Sequence, residues 1–191
     1  MPGYRDEPGV NPLSRTETYA ALRLDVDNWR WAGVPFYIRT GKRLPKRVTE
    51  VMLQFQRPPH LPIRLDQATG LSPDALILRI QPDEGITLRF GAKVPGHSFL
   101  VRSATMEFNY EATFIEESPE AYERLLLDAL IGDPTLFIRS DEVAQCWRII
   151  DPIISYWADD PHPIPLYEAA SSGPTEADRL LERDGRAWRK L

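Results

Sequence analysis

The segment Arg39-Thr40-Gly41-Lys42-Arg43-Leu44-Pro45-Lys46-Arg47 places five cations within nine of the chain's 191 residues. Lysine offers a point charge and arginine a planar fork of donors, a combination suited to a phosphoryl group flanked by hydroxyls. The whole chain has 23 basic and 28 acidic residues, a net charge of -5; without this segment 18 basic and 28 acidic side chains remain, a net of -10. The segment is therefore a positive island in an acidic body, and Gly41 within it allows a backbone to approach a ligand closely. A small phosphorylated anion fits such an island. So does a plainer reading, in which Lys and Arg after a strand keep a sheet edge soluble and unpaired. A P-loop is excluded, because the Gly33 to Gly41 spacing is too long and Lys42 is followed by Arg43. Nucleic acid is disfavoured by the acidic background and by the lack of an aromatic platform beside the cations.

No catalytic constellation emerges elsewhere. His60, His97 and His162 are far apart, form no metal-ligand spacing with the single Cys146, and read as loop or surface histidines without a neighbouring carboxylate. Asp25 and Asp27 fall on one face of a strand and read as a solvated or cation-paired surface. Trp29 and Trp31 flank a turn as lids on a core, and Cys146 reads as a small buried apolar residue. None of the 11 glycines lies in a G-x-G-x-x-G pattern. No stretch supplies ~18 uninterrupted apolar residues, and the leading MPGYRDEPGV has no apolar signal region, so the expectation is a soluble, cytoplasmic protein without a membrane span.

The elements that must position these residues follow from periodicity. Residues 1–14 read as an irregular lead-in rich in Pro, Gly and Asn. Period-two alternation predicts strands over Tyr19 to Asp27, Val34 to Thr40, and Val48 to Gln56, the last with Val51, Leu53 and Phe55 on one face. A nearly all-apolar run predicts a central strand over Ala75 to Gln81, and Ile86 to Phe90 and Phe99 to Tyr110 continue the series. The period then becomes helical. Ser118-Pro119-Glu120 opens a helix through Ala121, Leu125, Leu126 and Ala129 that Gly132 stops. Ser140 caps a second, running through Val143, Trp147, Ile150 and Ile154, with Pro152 marking a kink or division. A third starts at Gly173-Pro174-Thr175-Glu176 and ends near Gly185. Strands followed by helices indicate an α+β fold, a large mostly antiparallel sheet with helices on one face, read as one domain over residues 15–191.

Several ordered blocks resemble the C-terminal half of glucose-6-phosphate dehydrogenase of the bacterial type. They are Ser14-Arg15-Thr16-Glu17-Thr18-Tyr19, Asp27-Asn28-Trp29-Arg30-Trp31-Ala32-Gly33-Val34-Pro35-Phe36, and Ile38-Arg39-Thr40-Gly41-Lys42. Later come Ala121-Tyr122-Glu123-Arg124-Leu125-Leu126, Ser140-Asp141-Glu142 with Trp147, and Gly173-Pro174-Thr175-Glu176-Ala177-Asp178. The likeness runs from about Tyr4 to Trp188.

This resemblance implies that Lys42, in the family's R-x-G-K turn, contacts glucose 6-phosphate, that Arg47 holds a further basic substrate-binding position, and that Gln81 lies near the sugar. It implies a homodimer formed through the sheet and, for the full-length enzyme, NADP-dependent oxidation of glucose 6-phosphate to the lactone in the pentose phosphate pathway. The family's N-terminal Rossmann domain, its R-I-D-H-Y-L-G-K-E segment and its histidine base have no counterpart among these residues. No catalytic residue is therefore assigned, and the chain by itself is expected to be inactive and to hold no coenzyme tightly. Animal members hold a second, structural NADP against the sheet. Arg79 and Trp188 resemble positions there, whereas Val48 and Ser172 stand where that site has cations. The alternative is a truncated paralogue kept as a dimerisation or interaction module.

Overall fold

The computed structural model describes residues 3–57, 71–96, 100–113 and 121–190. After a 3-10 turn at Tyr4–Asp6 come the strands β1 (Tyr19–Asp25), β2 (Pro35–Gly41), β3 (Thr49–Gln54), β4 (Ala75–Gln81), β5 (Gly85–Lys93) and β6 (Val101–Asn109). The helices are α1 (Tyr110–Thr113), α2 (Ala121–Ile131), α3 (Ser140–Asp159) and α4 (Thr175–Glu182). The fold is α+β, and every described strand pairing is antiparallel, in a two-stranded ribbon β1-β2 and a four-stranded sheet in the order β3-β4-β5-β6. His60, His97, the start of the sixth predicted strand at Phe99 and the Ser118-Pro119-Glu120 helix opening lie outside the described residues.

The described residues divide into two compact units, residues 1–46 with 119–191 and residues 47–118. In the first, β1 and β2 pair from Tyr19 opposite Gly41 to Asp25 opposite Pro35. β1 ends at Asp25, two residues before the predicted end, because Asn28 opens the connecting turn: its carbonyl accepts from the Ala32 amide at 2.8 Å and its side-chain oxygen from the Trp31 amide at 2.9 Å. Asp27 is thus off the strand, and Asp25 alone is cation-paired, 3.4 Å from Arg23. α4 packs on β1 and buries Ala177 and Leu181. α2 ends in a Schellman motif: Gly132 has φ +76 and the Asp133 amide donates to the Asp128 carbonyl at 2.9 Å.

α3 corrects three expectations. Ser140 is its first helical residue, not its cap; Arg139 takes the cap position and the Asp141 carboxylate receives the Glu142 amide at 3.0 Å. Pro152 does not divide the helix, which runs 20 residues through it. Cys146 is exposed, on a helix that has no buried residue.

In the second unit the register puts Val51, Leu78, Ile86 and Phe108 in one cross-strand row, and Leu53, Leu76, Leu88 and Met106 in the next row on the same face. One face of the sheet is therefore apolar from edge to edge. Parts of it are open, with Met106 61% and Val51 50% exposed. The opposite face carries Ala75 and Ile77, both buried, with Arg79 and Arg89.

Candidate functional site

The structure sorts the five cations of the island by what they already touch. The Arg39 guanidinium lies 4.9 Å over the Trp188 ring and donates to the Arg189 carbonyl at 2.7 Å. Arg43, in the left-handed region at φ 52, is ion-paired to Glu7. Both partners are remote in sequence, so the two arginines are structural ties within the first unit. Lys42, Lys46 and Arg47 are exposed, and their side chains form no hydrogen bond or ion pair with another described residue.

Lys42 is fixed through its backbone. Its amide donates to the Thr18 carbonyl at 2.8 Å, and its carbonyl lies 2.8 Å from the Tyr167 hydroxyl, which is also 2.9 Å from the Thr18 carbonyl and can donate to either. The turn is held on both sides while the ammonium stays free. A close approach at Gly41 is real, but the neighbour is Tyr19 and not a ligand: a Cβ on Gly41 would lie 2.6 Å from the Tyr19 ring, and one on Gly173 2.4 Å. Tyr19 also meets Tyr167 edge to face at 5.5 Å, and burial raises its phenol pKa, with Arg39 opposing.

Arg47 opens the second unit, two residues ahead of Thr49, and Thr49 is the cross-strand partner of Gln81. Arg47 and Gln81 therefore share one end of the β3-β4 pair, and both side chains are exposed. Gln81 precedes a cis bond to Pro82. Of the residues likened to the animal family's second coenzyme site, Trp188 is engaged within the first unit, donating from Nε1 to the Ala177 carbonyl at 2.9 Å. Arg79 lies over Gly85 in the second unit.

One histidine is not isolated. Nδ1 of His162 lies 2.5 Å from Oδ1 of Asp160, which also accepts from the His162 amide at 3.0 Å, and these bonds hold the Asp160 carboxyl below its ordinary pKa. The signal was in the sequence: an Asp two residues before a His, across Pro161, invites an Asx turn. Arg15 ties this segment down through the carbonyls of Asp160 and His162. The pair lines a cavity of about 330 Å³ with Tyr19, Trp157, Tyr167 and Leu180. Trp31 is a lid, edge to face with Phe36 at 5.2 Å, whereas Trp29 is fully exposed. Among the described residues no cluster of His, Cys, Asp and Glu could hold a metal ion, and no helix is long and apolar enough to cross a membrane.

Comparison with known proteins adds what geometry alone does not supply. Residues 1–189 match the model of the glucose-6-phosphate dehydrogenase C-terminal domain. The chain is 52% identical over 188 residues to glucose-6-phosphate 1-dehydrogenase 2 of Mycobacterium tuberculosis strain H37Rv, covering 98% of this chain and 36% of the relative. It is 48% identical to glucose-6-phosphate 1-dehydrogenase of Chlamydia pneumoniae, covering 99% and 38%. Among solved structures it superposes on a glucose-6-phosphate 1-dehydrogenase from Mycobacterium avium with a TM-score of 0.82 and 38% identity, covering all of this chain and 39% of that one. A glucose-6-phosphate dehydrogenase in complex with glucose 6-phosphate gives a TM-score of 0.86 at 32% identity, over 99% of this chain and 38% of that one. The chain thus spans little more than a third of the length of the relatives it matches.

Proposed function

Because the chain belongs to the family of glucose-6-phosphate dehydrogenase C-terminal domains, we propose that it supplies the substrate-contacting and dimer-forming part of such an oxidoreductase. In the larger enzyme the reaction is NADP-dependent oxidation of glucose 6-phosphate to the 6-phosphogluconolactone, a step of the pentose phosphate pathway carried out in the cytoplasm. Lys42 meets the substrate's phosphate, Arg47 adds a second positive group, and Gln81 offers an amide to the sugar hydroxyls. The observation that carries this reading is the division of the cation island, in which Lys42 projects an unpaired ammonium from a backbone pinned at both amide and carbonyl. With the backbone already held, the ordering left to be done on meeting a phosphate is that of the lysine side chain alone.

The chain's own part in the reaction is binding and orientation. NADP supplies the hydride acceptor when it is bound, but the described strand pairings are all antiparallel and give no βαβ crossover to cradle a dinucleotide. No coenzyme contact and no proton transfer are assigned to this chain's residues. The apolar face of the β3-β4-β5-β6 sheet supports a homodimer, with a second copy covering Val51, Ile86, Met106 and Phe108. By itself the chain turns nothing over: incubated with glucose 6-phosphate and NADP, it generates no NADPH absorbance once host dehydrogenase has been removed.

The substrate assignment is tested in a hybrid, the Mycobacterium tuberculosis relative with its matching region replaced by this chain. Lys42→Ala with Arg47→Ala raises KM for glucose 6-phosphate about tenfold or more, the worth of charge-assisted hydrogen bonds. An unchanged KM would favour the second reading, a non-catalytic interaction module. The specific observation behind that reading is the amount of apolar surface this chain leaves open.

A further inference from the structure

The turn that carries Lys42 is held by more than the ribbon it extends. In the β1-β2 register Tyr19 stands opposite Gly41, so the next pair along is Thr18 with Lys42. A bonded antiparallel pair exchanges both of its amide-to-carbonyl bonds. Here the Lys42 amide donates to the Thr18 carbonyl at 2.8 Å, but the Lys42 carbonyl faces the Tyr167 hydroxyl, also at 2.8 Å. The same hydroxyl lies 2.9 Å from the Thr18 carbonyl. One side-chain oxygen thus bridges both carbonyls of the pair where the ladder ends, and it belongs to a residue 125 positions from Lys42.

The neighbours of Tyr167 serve the same turn. The Ala170 amide donates to the Arg43 carbonyl at 2.8 Å, with Ala170 at φ 65 and Arg43 at φ 52. Side chains persist in that left-handed region where their surroundings hold them there. Gly173 lies against the Tyr19 ring, and that ring lies against Gly41. Residues 167–173 therefore reach three successive positions: Gly41 through the Tyr19 ring, Lys42 by a hydroxyl and Arg43 by an amide. None of these contacts uses the Lys42 ammonium, so together they fix where the side chain starts and leave its charge to a ligand.

We infer that Tyr167 is a positioning residue for the substrate: its hydroxyl orients the Lys42 peptide, and thereby sets the point from which the Lys42 ammonium meets the phosphate. The inference rests on the substrate reading above. Without the hydroxyl the Lys42 carbonyl turns to water and its peptide swings more freely, so the side chain must be ordered from a wider set of starting points. The phosphate does not react, so the loss falls on KM and spares kcat.

The test is a double-mutant cycle in the hybrid enzyme. Tyr167→Phe keeps the ring against Tyr19 and removes only the oxygen. KM for glucose 6-phosphate rises about two- to tenfold, the range of one neutral hydrogen bond, with kcat little changed. Lys42→Ala also raises KM, and adding Tyr167→Phe to Lys42→Ala produces no additional rise, because the hydroxyl then has no charge to place. An unchanged KM in Tyr167→Phe overturns the inference. So does a rise that persists undiminished beside Lys42→Ala, which would make Tyr167 a general structural residue or a direct contact. If Lys42→Ala itself leaves KM unchanged, the substrate reading falls and this one with it; a rise in Lys42→Ala without one in Tyr167→Phe refutes the role of Tyr167 alone. Should the hybrid fail to fold, hydrogen exchange in the isolated chain decides. There Tyr167→Phe speeds the Lys42 and Ala170 amides at least about threefold, while Leu22 and Ile38, paired in the middle of the ribbon, change little. Uniform acceleration, or none, would overturn the inference.

Discussion

Helices α2 and α4 belong to one compact unit and both carry leucines at helical spacing, yet they meet opposite fates. α4 buries Ala177 and Leu181 against β1 and leaves Glu176 and Asp178 to water, whereas α2 buries an aspartate and shows its leucines. The difference lies in what stands opposite. Helical periodicity states that a helix has an apolar face; it does not state that the same chain covers it. The largest test of the contrast is paired. Leu181→Ala, at 3% exposure, lowers stability by about 2–5 kcal/mol in urea unfolding, while Leu130→Ala in the isolated chain stays within about 0.5 kcal/mol. Comparable losses at both sites would abolish the distinction.

The same logic separates what the sequence made legible from what it did not. The strand Ala75–Gln81 is read to the residue, because a nearly all-apolar run interrupted only by Arg79 and bounded by Pro73-Asp74 and Pro82-Asp83 has the length of a strand and not of a helix. Lys42, Arg47 and Gln81 could be named from a family likeness, but not the sorting of the cation island. Arg39 is taken up by Trp188 and Arg189, and Arg43 by Glu7, partners 150 and 36 positions away that local pattern cannot reach. Cys146 is exposed where a buried residue is expected, because α3 is apolar in sequence yet has no buried residue in this chain. The room that Gly41 offers belongs to Tyr19, a contact that the β1-β2 register creates.

Tyr19 provides the second test, because its ring is the anchor the ribbon side possesses and α2 lacks. Gly173 has φ +110 and no space for a Cβ, so Gly173→Ala combines backbone strain with a clash and lowers stability by about 2–3 kcal/mol. Gly132, also at positive φ but with nothing within 4 Å of its Cβ position, bears only the backbone part: Gly132→Ala loses about 1 kcal/mol. Chemical denaturation of the two variants reads the difference directly. Equal losses would mean that strain alone matters and that Tyr19 is not wedged.

The smallest expected effect asks whether the segment between α3 and α4 belongs with the anchored side. Arg15 holds its carbonyls and Asp160 caps it through the His162 amide, so it should respond to acid as packed structure does. The folded Asp160 carboxyl binds its proton more weakly than the unfolded chain does, chiefly because the His162 amide and ring donate to it. Its contribution is therefore fully present above the ordinary aspartate value of 3.8 and is lost as pH falls below that value through the folded pKa. Asp133 and Asp141 are lowered too, by Thr135 and Arg139 respectively, and add a background of the same sign, so only a difference isolates Asp160. Asp160→Asn keeps an oxygen for the amide but removes the charge. Its melting temperature should lie slightly below that of the parent chain at neutral pH and converge with it as pH drops below 3.8. A deficit that persists unchanged into acid would assign the loss to packing and not to the carboxylate. No deficit at any pH would place the segment with α2, among the parts of this chain that wait for something else to cover them.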